Sequence, residues 1–189
     1  MDVKKNEVSS VTAMLPAWES AEFIQETLDS LSAQSYECFS VLISIDVSSD
    51  ETYEICAAHA EHDSRFKVVQ QTERLGYVGN CNFLLNSADS DYAVFTFHDD
   101  LLAPDYFAKL VDALDQTPDA IMAYSDLLLT YEDGHEVALS FSDLLGKKSA
   151  LKRGLSMIKP VDEWWLPNRG VFRLDRARLV NGLKTHEAG

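Results

Sequence analysis

The chain has 189 residues, of which 46% are hydrophobic, and carries 16 Lys and Arg against 31 Asp and Glu, a net charge of −15 at pH 7. This length and composition predict one globular domain with a sizeable core. The negative charge argues against nucleic acid or an anionic membrane as a general partner, because both would be repelled.

The cysteines and the amino terminus indicate an intracellular protein. Cys38, Cys56 and Cys81 are odd in number and lack the spacing of metal ligands, so neither a disulfide framework nor a zinc site is predicted. The first residues lack the apolar stretch of a signal peptide, and no later run is long enough for an integral membrane segment. We therefore expect a soluble, cytoplasmic chain, and its oligomeric state is left open.

Strand-like and helix-like segments alternate through the first two thirds of the sequence. A strand is predicted at residues 8–15, ending at Pro16, where a ladder hydrogen bond would be lost. Ile24, Leu28 and Leu31 fall at helical spacing and predict an amphipathic helix. The next predicted strand covers residues 41–45.

A second helix is predicted to start near Ser48, because Ser48 and Glu51 have the spacing of a capping box. The elements predicted after it are a strand at 66–69, a helix at 78–88, a strand at 92–97, a helix with Pro104 at its first position and a strand at 120–124. This βαβαβ order predicts an α/β fold with a mixed, mainly parallel sheet flanked by helices.

The last third is less regular. Residues 127–131 and 137–141 predict a hairpin. Basic residues are concentrated at 146–160, where they either grip phosphate or an acidic acceptor or belong to a solvated loop. Trp164 and Trp165 are suited either to stacking on a sugar ring or to packing in the core.

Two adjacent carboxylates, Asp99 and Asp100, lie at the carboxyl end of the strand predicted at 92–97. Open α/β sheets bind ligands at this edge. Hard oxygen ligands suit Mg²⁺ or Mn²⁺ carrying a substrate phosphate, whereas the alternative is a solvated acidic turn. Because the chain repels anions, a phosphate site here would need a cation, backbone N–H groups or a few basic side chains.

Five segments in order resemble the family 2 glycosyltransferases. They are VTAMLPAWE at 11–19, QSY at 34–36, IDVSSDET at 45–52, LGYVGNCN at 75–82 and FHDDLLAPDY at 97–106. A fainter likeness continues in RGVFR at 169–173 and NGL at 181–183. The chain therefore resembles a bacterial-type catalytic domain of this family, and we expect it to be truncated at its carboxyl end.

The resemblance implies the A-type nucleotide-diphospho-sugar transferase fold, a Rossmann-like architecture. It implies a single domain at 1–189, with a nucleotide-sugar-binding half at 8–126 and a partial acceptor-side region at 127–189. The implied enzyme moves a sugar from a nucleotide-diphosphate donor to an unknown sugar or lipid-linked acceptor, as in polysaccharide or glycoconjugate biosynthesis. Inversion at the sugar carbon and a Mg²⁺ or Mn²⁺ cofactor are also implied.

Residue roles are carried over from the matching positions. Asp99 stands at the metal-binding position, and Asp100 at a catalytic or sugar-contacting one. Nucleotide-sugar contacts are implied for Pro16, Ala17, Trp18, Glu19, Asp46, Gly76, Asn82 and His98. The alternative for these residues is turn, strand-end and helix-start chemistry. Glu187 is the carboxylate left near 181–183, so it is the predicted general base.

Three residues depart from the family pattern. Phe97 stands where the first Asp of the metal motif is usual, Ile45 where the first acid of a pair is usual, and Cys81 where Arg is frequent. These departures leave the donor base open and motivate an alternative, a non-catalytic nucleotide-sugar-binding module or fragment. A sugar nucleotidyltransferase is disfavoured, because the expected glycine-rich loop with a basic residue is missing after Leu15.

Overall fold

The computed structural model describes residues 8–131, 133–140, 149 and 169–184. Its eight strands are β1 (Val11–Ala17), β2 (Phe39–Ile45), β3 (Phe66–Gln70), β4 (Tyr92–Phe95), β5 (Met122–Ala123), β6 (Leu127–Thr130), β7 (Glu136–Leu139) and β8 (Val171–Arg173). Six of them form one sheet in the order β3-β2-β1-β4-β8-β5, and β6 pairs with β7. Strands β3, β2, β1 and β4 are parallel, whereas β8 runs antiparallel to β4 and β5. The predicted mixed, mainly parallel sheet is confirmed.

The helices cover both faces of the six-stranded sheet. They are α1 (Ile24–Ser32), α2 (Thr52–His62), α3 (Gly76–Ser87), α4 (Tyr106–Asp115) and α5 (Leu174–Arg178). Alternate residues of a strand point to opposite faces. In β1, Ala13 and Leu15 accordingly join a core with α1, α2 and α4, whereas Met14 packs with α3 and α5. Every helix in the described part of the chain is too short or too polar to cross a bilayer.

Strand β1 continues through Pro16 to Ala17, so the prediction that it ends at Pro16 is wrong. The alternation of hydrogen bonds along β1 explains this result. The N–H of Asp46 donates to the carbonyl of Ala17 on the β2 side, and the N–H of Thr96 donates to Met14 on the β4 side. Pro16 therefore faces the β4 side, where β4 has already ended at Phe95, and no ladder bond is lost.

Helix α2 begins at Thr52 without a side-chain cap, so the predicted capping box is also wrong. Ser48 Oγ instead donates to the carbonyl of Asp46 at 3.0 Å and accepts from the N–H of Glu19 at 3.1 Å. The hydroxyl thus joins the loops that follow β1 and β2. Pro104 likewise lies in the turn before α4, rather than at its first position.

The chain divides into two compact units, Met1–Ala123 with Val171–Gly189, and Tyr124–Gly170. Within the first unit, β8 inserts between β4 and β5 of the large sheet. The division into a nucleotide-sugar-binding half at 8–126 and an acceptor-side region at 127–189 stays a prediction. The second unit contains the hairpin of β6 and β7, which is confirmed. The basic stretch at 146–160 lies outside the described residues except for Ser149, and Trp164 and Trp165 lie outside them altogether.

One ion pair fixes the turn between α2 and β3. Arg65 Nε donates to Asp63 Oδ1 at 2.9 Å, and the same guanidinium lies 4.5 Å from the ring centre of Phe39 and donates to the carbonyl of Ser32. The hydrogen bonds from Arg65 hold the pKa of Asp63 at about 2, below its ordinary value of 3.8. Asp63 therefore stabilises the fold above its unfolded pKa, and this contribution is lost as the pH falls through about 2.

We expect Asp63→Asn to lower the free energy of unfolding by about 1 kcal/mol near neutral pH. The difference from the unsubstituted chain should shrink as the pH falls from 3.8 toward 2, because the aspartate is then progressively protonated. Urea denaturation at a series of pH values measures both. Asp89→Asn, at an exposed position, is the matched control, and a deficit that stays constant down to acid pH would contradict the assignment.

Candidate functional site

A pocket of about 340 Å³ opens where the carboxyl ends of β1, β2 and β4 meet the start of α3. This is the edge at which open α/β sheets bind ligands. Six residues predicted to contact nucleotide sugar line the pocket: Pro16, Ala17, Trp18, Asp46, Gly76 and His98. The structure therefore brings together residues from four separate segments of the sequence.

Asp46 is the buried anchor of the pocket, with 2% of its surface exposed. Its Oδ1 accepts from the N–H of Leu75 at 2.9 Å and from that of Val47 at 3.1 Å, and its Oδ2 accepts from the N–H of Gly76 at 2.8 Å. These bonds place a carboxylate at the amino terminus of α3, where the helix dipole favours negative charge. Gly76 has a φ of +68°, a conformation that favours glycine.

The loops after β1 and β2 are joined by side-chain hydrogen bonds. Glu19 Oε1 accepts from the N–H of Ser49 at 2.7 Å, and Thr52 Oγ1 accepts from the N–H of Ser20 at 2.8 Å. Asp50 accepts from the N–H of Ala21 at 2.9 Å. Burial alone would raise the pKa of Asp50, but its hydrogen bonds outweigh burial and hold the pKa below its ordinary value. The joined loops fix the position of the pocket residue Trp18.

Two aromatic contacts form the sides of the pocket. The guanidinium carbon of Arg74 lies 4.3 Å from the ring centre of Trp18, within the range of a cation–π contact. The rings of Tyr77 and Phe97 stack with centres 6.2 Å apart and planes inclined by 26°. Trp18 is 44% exposed and Tyr77 56%, so both present ring surface to a ligand.

Two polar side chains of the pocket carry a buried atom that has no hydrogen-bond partner. Asn80 donates through Nδ2 to the carbonyl of Ser44 at 2.9 Å, which leaves its Oδ1 unpartnered. His98 Nδ1 is also unpartnered. Unpaired buried polar atoms are few in native proteins, and a bound water or ligand is a common explanation for them.

The acidic loop after β4 is held by α1 and the turn that follows it. Thr27 Oγ1 donates to the carbonyl of Asp100 at 3.1 Å, and Gln34 Nε2 donates to that of Ala103 at 2.8 Å. Asp99 is exposed, and no described residue makes a hydrogen bond or ion pair with its carboxylate. Its oxygens are therefore available to a ligand from solution.

Two of the predicted nucleotide-sugar contacts, Glu19 and Asn82, do not line the pocket. Glu19 is occupied by Ser49 and does not line the pocket. Asn82, inside α3, donates to the carbonyl of Leu183 at 3.0 Å and accepts from its N–H at 2.8 Å, so its amide is engaged with the backbone of that residue. Glu187 lies outside the described residues. The roles proposed for these three side chains stay predictions.

Four pocket residues were not assigned to the site from the sequence: Arg74, Tyr77, Asn80 and Phe97. In the sequence, Phe97 is a departure from the family's metal motif. Arg74 and Tyr77 flank the turn at Gly76, and a basic residue beside that turn in an acidic chain was the available signal. Cys81, at the position where Arg is frequent, is fully buried, and burial raises its pKa to about 11. It cannot replace the charge of an arginine.

Comparison with known proteins gives a family and a fold. Residues 12–157 match the family model described as "Glycosyl transferase family 2". The chain is 28% identical over 141 residues to the putative glycosyltransferase EpsH of Bacillus subtilis, covering 67% of this chain and 40% of that protein. It is 29% identical over 100 residues to the glycosyltransferase GlyA of Streptococcus pneumoniae, covering 53% of this chain and 14% of that protein. The chain thus spans less than half the length of these relatives.

Two solved structures share the fold. The S. aureus TarS 1–349 complex with UDP-GlcNAc matches with a TM-score of 0.71 at 18% identity, covering 91% of this chain and 47% of that one. The mannosyltransferase PcManGT of Pyrobaculum calidifontis, in complex with GDP-Man and Mn²⁺, matches with a TM-score of 0.68 at 20% identity, covering 95% and 48%. These likenesses confirm the predicted A-type architecture.

We expect Asp46→Asn to lower the free energy of unfolding by about 2 kcal/mol, because an amide places a donor against one of the three N–H groups and removes the charge that they bind. Urea denaturation followed by circular dichroism measures the loss. Asp99→Asn is the matched control, since Asp99 has no partner among the described residues, and it should leave stability unchanged. Equal stability of the two variants would contradict the anchoring role of Asp46.

Proposed function

Because the chain belongs to glycosyl transferase family 2, we propose that it moves a sugar from a nucleoside-diphosphate donor to an acceptor hydroxyl. The observation that carries this proposal is the pocket at the carboxyl ends of β1, β2 and β4. Its lining residue His98 is followed in the sequence by Asp99, whose carboxylate is available to a ligand. The solved relatives TarS and PcManGT, with UDP-GlcNAc and GDP-Man in their respective complexes, support a donor of this class. The acceptor sugar or lipid-linked sugar is left open.

The pocket suits the nucleoside part of such a donor. Its volume of about 340 Å³ is at the lower end for ligand sites, so it accommodates part of a sugar nucleotide rather than the whole. The exposed ring of Trp18 offers a face on which a base can stack. The diphosphate would then extend toward the loop that begins at Phe97 and continues to Asp99.

The residues after β4 fit a divalent cation. Mg²⁺ is usually held by one or two carboxylates, and waters and substrate phosphate oxygens complete its coordination. Within the described residues, no three His, Cys, Asp or Glu side chains are grouped as a metal site. Asp99, with free oxygens, is the proposed ligand, and Asp100 the neighbouring carboxylate. A bound Mg²⁺ or Mn²⁺ would supply a Lewis acid that offsets negative charge on the diphosphate leaving group.

The protein's own groups position the reactants. The loops after β1 and β2, joined through Glu19 and Ser49, hold Trp18 in place against the base. Thr27 and Gln34 hold the acidic loop, so that Asp99 and Asp100 keep a fixed backbone path. Positioning of this kind lowers the entropic cost of reaching the reactive geometry. Asp100 would contact the sugar.

We further propose inversion at the sugar carbon, which requires a base beside the acceptor hydroxyl. Glu187 is the proposed base, as the resemblance implies. The second candidate function is a nucleotide-sugar-binding module without catalysis. It is favoured by Phe97, whose ring stacks on Tyr77 where a second metal-binding carboxylate would be usual.

We expect nucleoside diphosphates to bind at least about tenfold more tightly with Mn²⁺ or Mg²⁺ than in excess chelator, because the acidic chain otherwise repels them. Asp99→Asn should remove most of this increase, and Asp100→Asn should remove less. Titration calorimetry with each nucleoside diphosphate measures both effects.

Asp89→Asn, which changes an exposed carboxylate on the turn after α3, is the control and should bind like the unsubstituted chain. Equal affinity with and without the cation would refute the metal role. If Asp100→Asn were the more damaging change by about tenfold, roughly 1.4 kcal/mol, the assigned roles would have to be exchanged.

A turnover assay distinguishes the two candidate functions, a glycosyltransferase and a nucleotide-sugar-binding module without catalysis. We expect release of nucleoside diphosphate from a panel of donor sugars in the presence of Mn²⁺, by slow hydrolysis or by transfer to added acceptors, and loss of this release in Asp99→Asn. Ion-exchange chromatography of the reaction follows the product. Tight cation-dependent binding with no release from any donor would support the module, whereas equal release by Asp99→Asn would show that the activity does not use this site.

A further inference from the structure

Arg74 and Trp18 form a preassembled pair at one side of the pocket. The guanidinium carbon of Arg74, in the loop after β3, lies 4.3 Å from the ring centre of Trp18, which follows β1. Both side chains are exposed and line the pocket. Arg74 is the single Lys or Arg among the lining residues that the structure describes. The pair therefore combines a flat ring with a cation whose N–H donors can face a ligand.

The carboxylate in the pocket offers little to a ligand's donor groups. Three backbone N–H groups, from Val47, Leu75 and Gly76, already occupy Asp46. A carboxylate has about four acceptor positions, so at most one is left. Arg74 therefore supplies charged donors on this side of the pocket, and a base with an edge rich in acceptors would match them.

The order of strands in the sheet indicates where the base and the diphosphate of the donor would lie. In the sheet, β3 and β4 lie on opposite sides of the β2–β1 pair. Asp99 follows β4, whereas Arg74 follows β3. If the diphosphate lies toward Asp99, which rests on the proposed function above, the base lies toward Arg74 and Trp18.

We propose that Arg74, held against the face of Trp18, selects guanine as the donor base by donating two hydrogen bonds to its O6 and N7 atoms. Guanine presents these two acceptors side by side, and the planar fork of arginine matches them. Adenine presents an acceptor beside a donor on the same edge, cytosine presents a donor, and uracil presents O4 without an adjoining acceptor. The donor of this chain is therefore a guanosine-diphosphate sugar.

Titration calorimetry in Mn²⁺ with GDP, IDP, UDP and ADP tests the assignment. GDP should bind about tenfold more tightly than UDP or ADP, the lower part of the range for one bidentate arginine–guanine pair. IDP keeps O6 and N7 but lacks the 2-amino group, so it should bind like GDP. The 7-deaza analogue of GDP lacks the N7 acceptor, so its affinity should be about tenfold lower than that of GDP.

Substitution of Arg74 provides the second test of base selection. Arg74→Lys keeps the positive charge but removes the planar pair of N–H donors. The affinity for GDP should therefore fall about tenfold, while the affinity for UDP changes less than about threefold. Arg176→Lys, on exposed α5, is the matched control and should leave all four affinities unchanged. Thermal melts of both variants check that the fold is retained.

The possible outcomes distinguish failure of the base assignment from failure of the proposed function. UDP binding as tightly as GDP, or a GDP preference that survives Arg74→Lys, would overturn the assignment of Arg74 and leave the proposed function in place. IDP binding about tenfold more weakly than GDP would also overturn it, because the base would then be read through its 2-amino edge. No binding of any nucleoside diphosphate would overturn the proposed function, and the base assignment with it.

Discussion

The buried carboxylate of Asp46 is the constraint on which the rest of the pocket depends. Its own N–H continues the β1–β2 hydrogen bonding by donating to Ala17, and its oxygens hold the N–H groups of Leu75 and Gly76 at the start of α3. One residue, through its backbone and its side chain, thus fixes the carboxyl ends of two strands relative to the helix that closes the pocket. Because Asp46 is 2% exposed, replacing its carboxylate by an amide would leave the N–H group that meets the amide nitrogen without an acceptor.

An acidic chain can bind an anionic donor only if positively charged groups or N–H donors at the site offset the repulsion. A net charge of −15 repels a diphosphate at long range. In the pocket, however, the charge of Asp46 is offset by backbone N–H groups, and Arg74 adds a cation on the opposite side of the β2–β1 pair from Asp99. A divalent cation at Asp99 would extend the same compensation to the phosphates.

The departures from the family pattern acquire a physical meaning in the structure. Phe97 brings an aromatic ring, stacked on Tyr77, to a position where a carboxylate is usual. Cys81 is buried and uncharged, and the exposed cation of the pocket lies seven positions earlier, at Arg74. The side of the pocket assigned to the base therefore has hydrogen-bond donors, from Arg74, that the motifs alone do not indicate, and Phe97 adds aromatic surface on the side that leads to Asp99.

The amino-acid sequence by itself determined the alternation of strands and helices and the mainly parallel sheet, since these follow from local periodicity and element order. Six of the pocket residues were implied by the motifs that resemble family 2 glycosyltransferases. The sequence did not determine the path of β1 through Pro16, the start of α2, the stacking of Arg74 on Trp18 or the pairing of Asn82 with Leu183, 101 residues away. Each of these depends on which strands become neighbours and in what register. Local spacing does not encode that information, and only the packed sheet decides it.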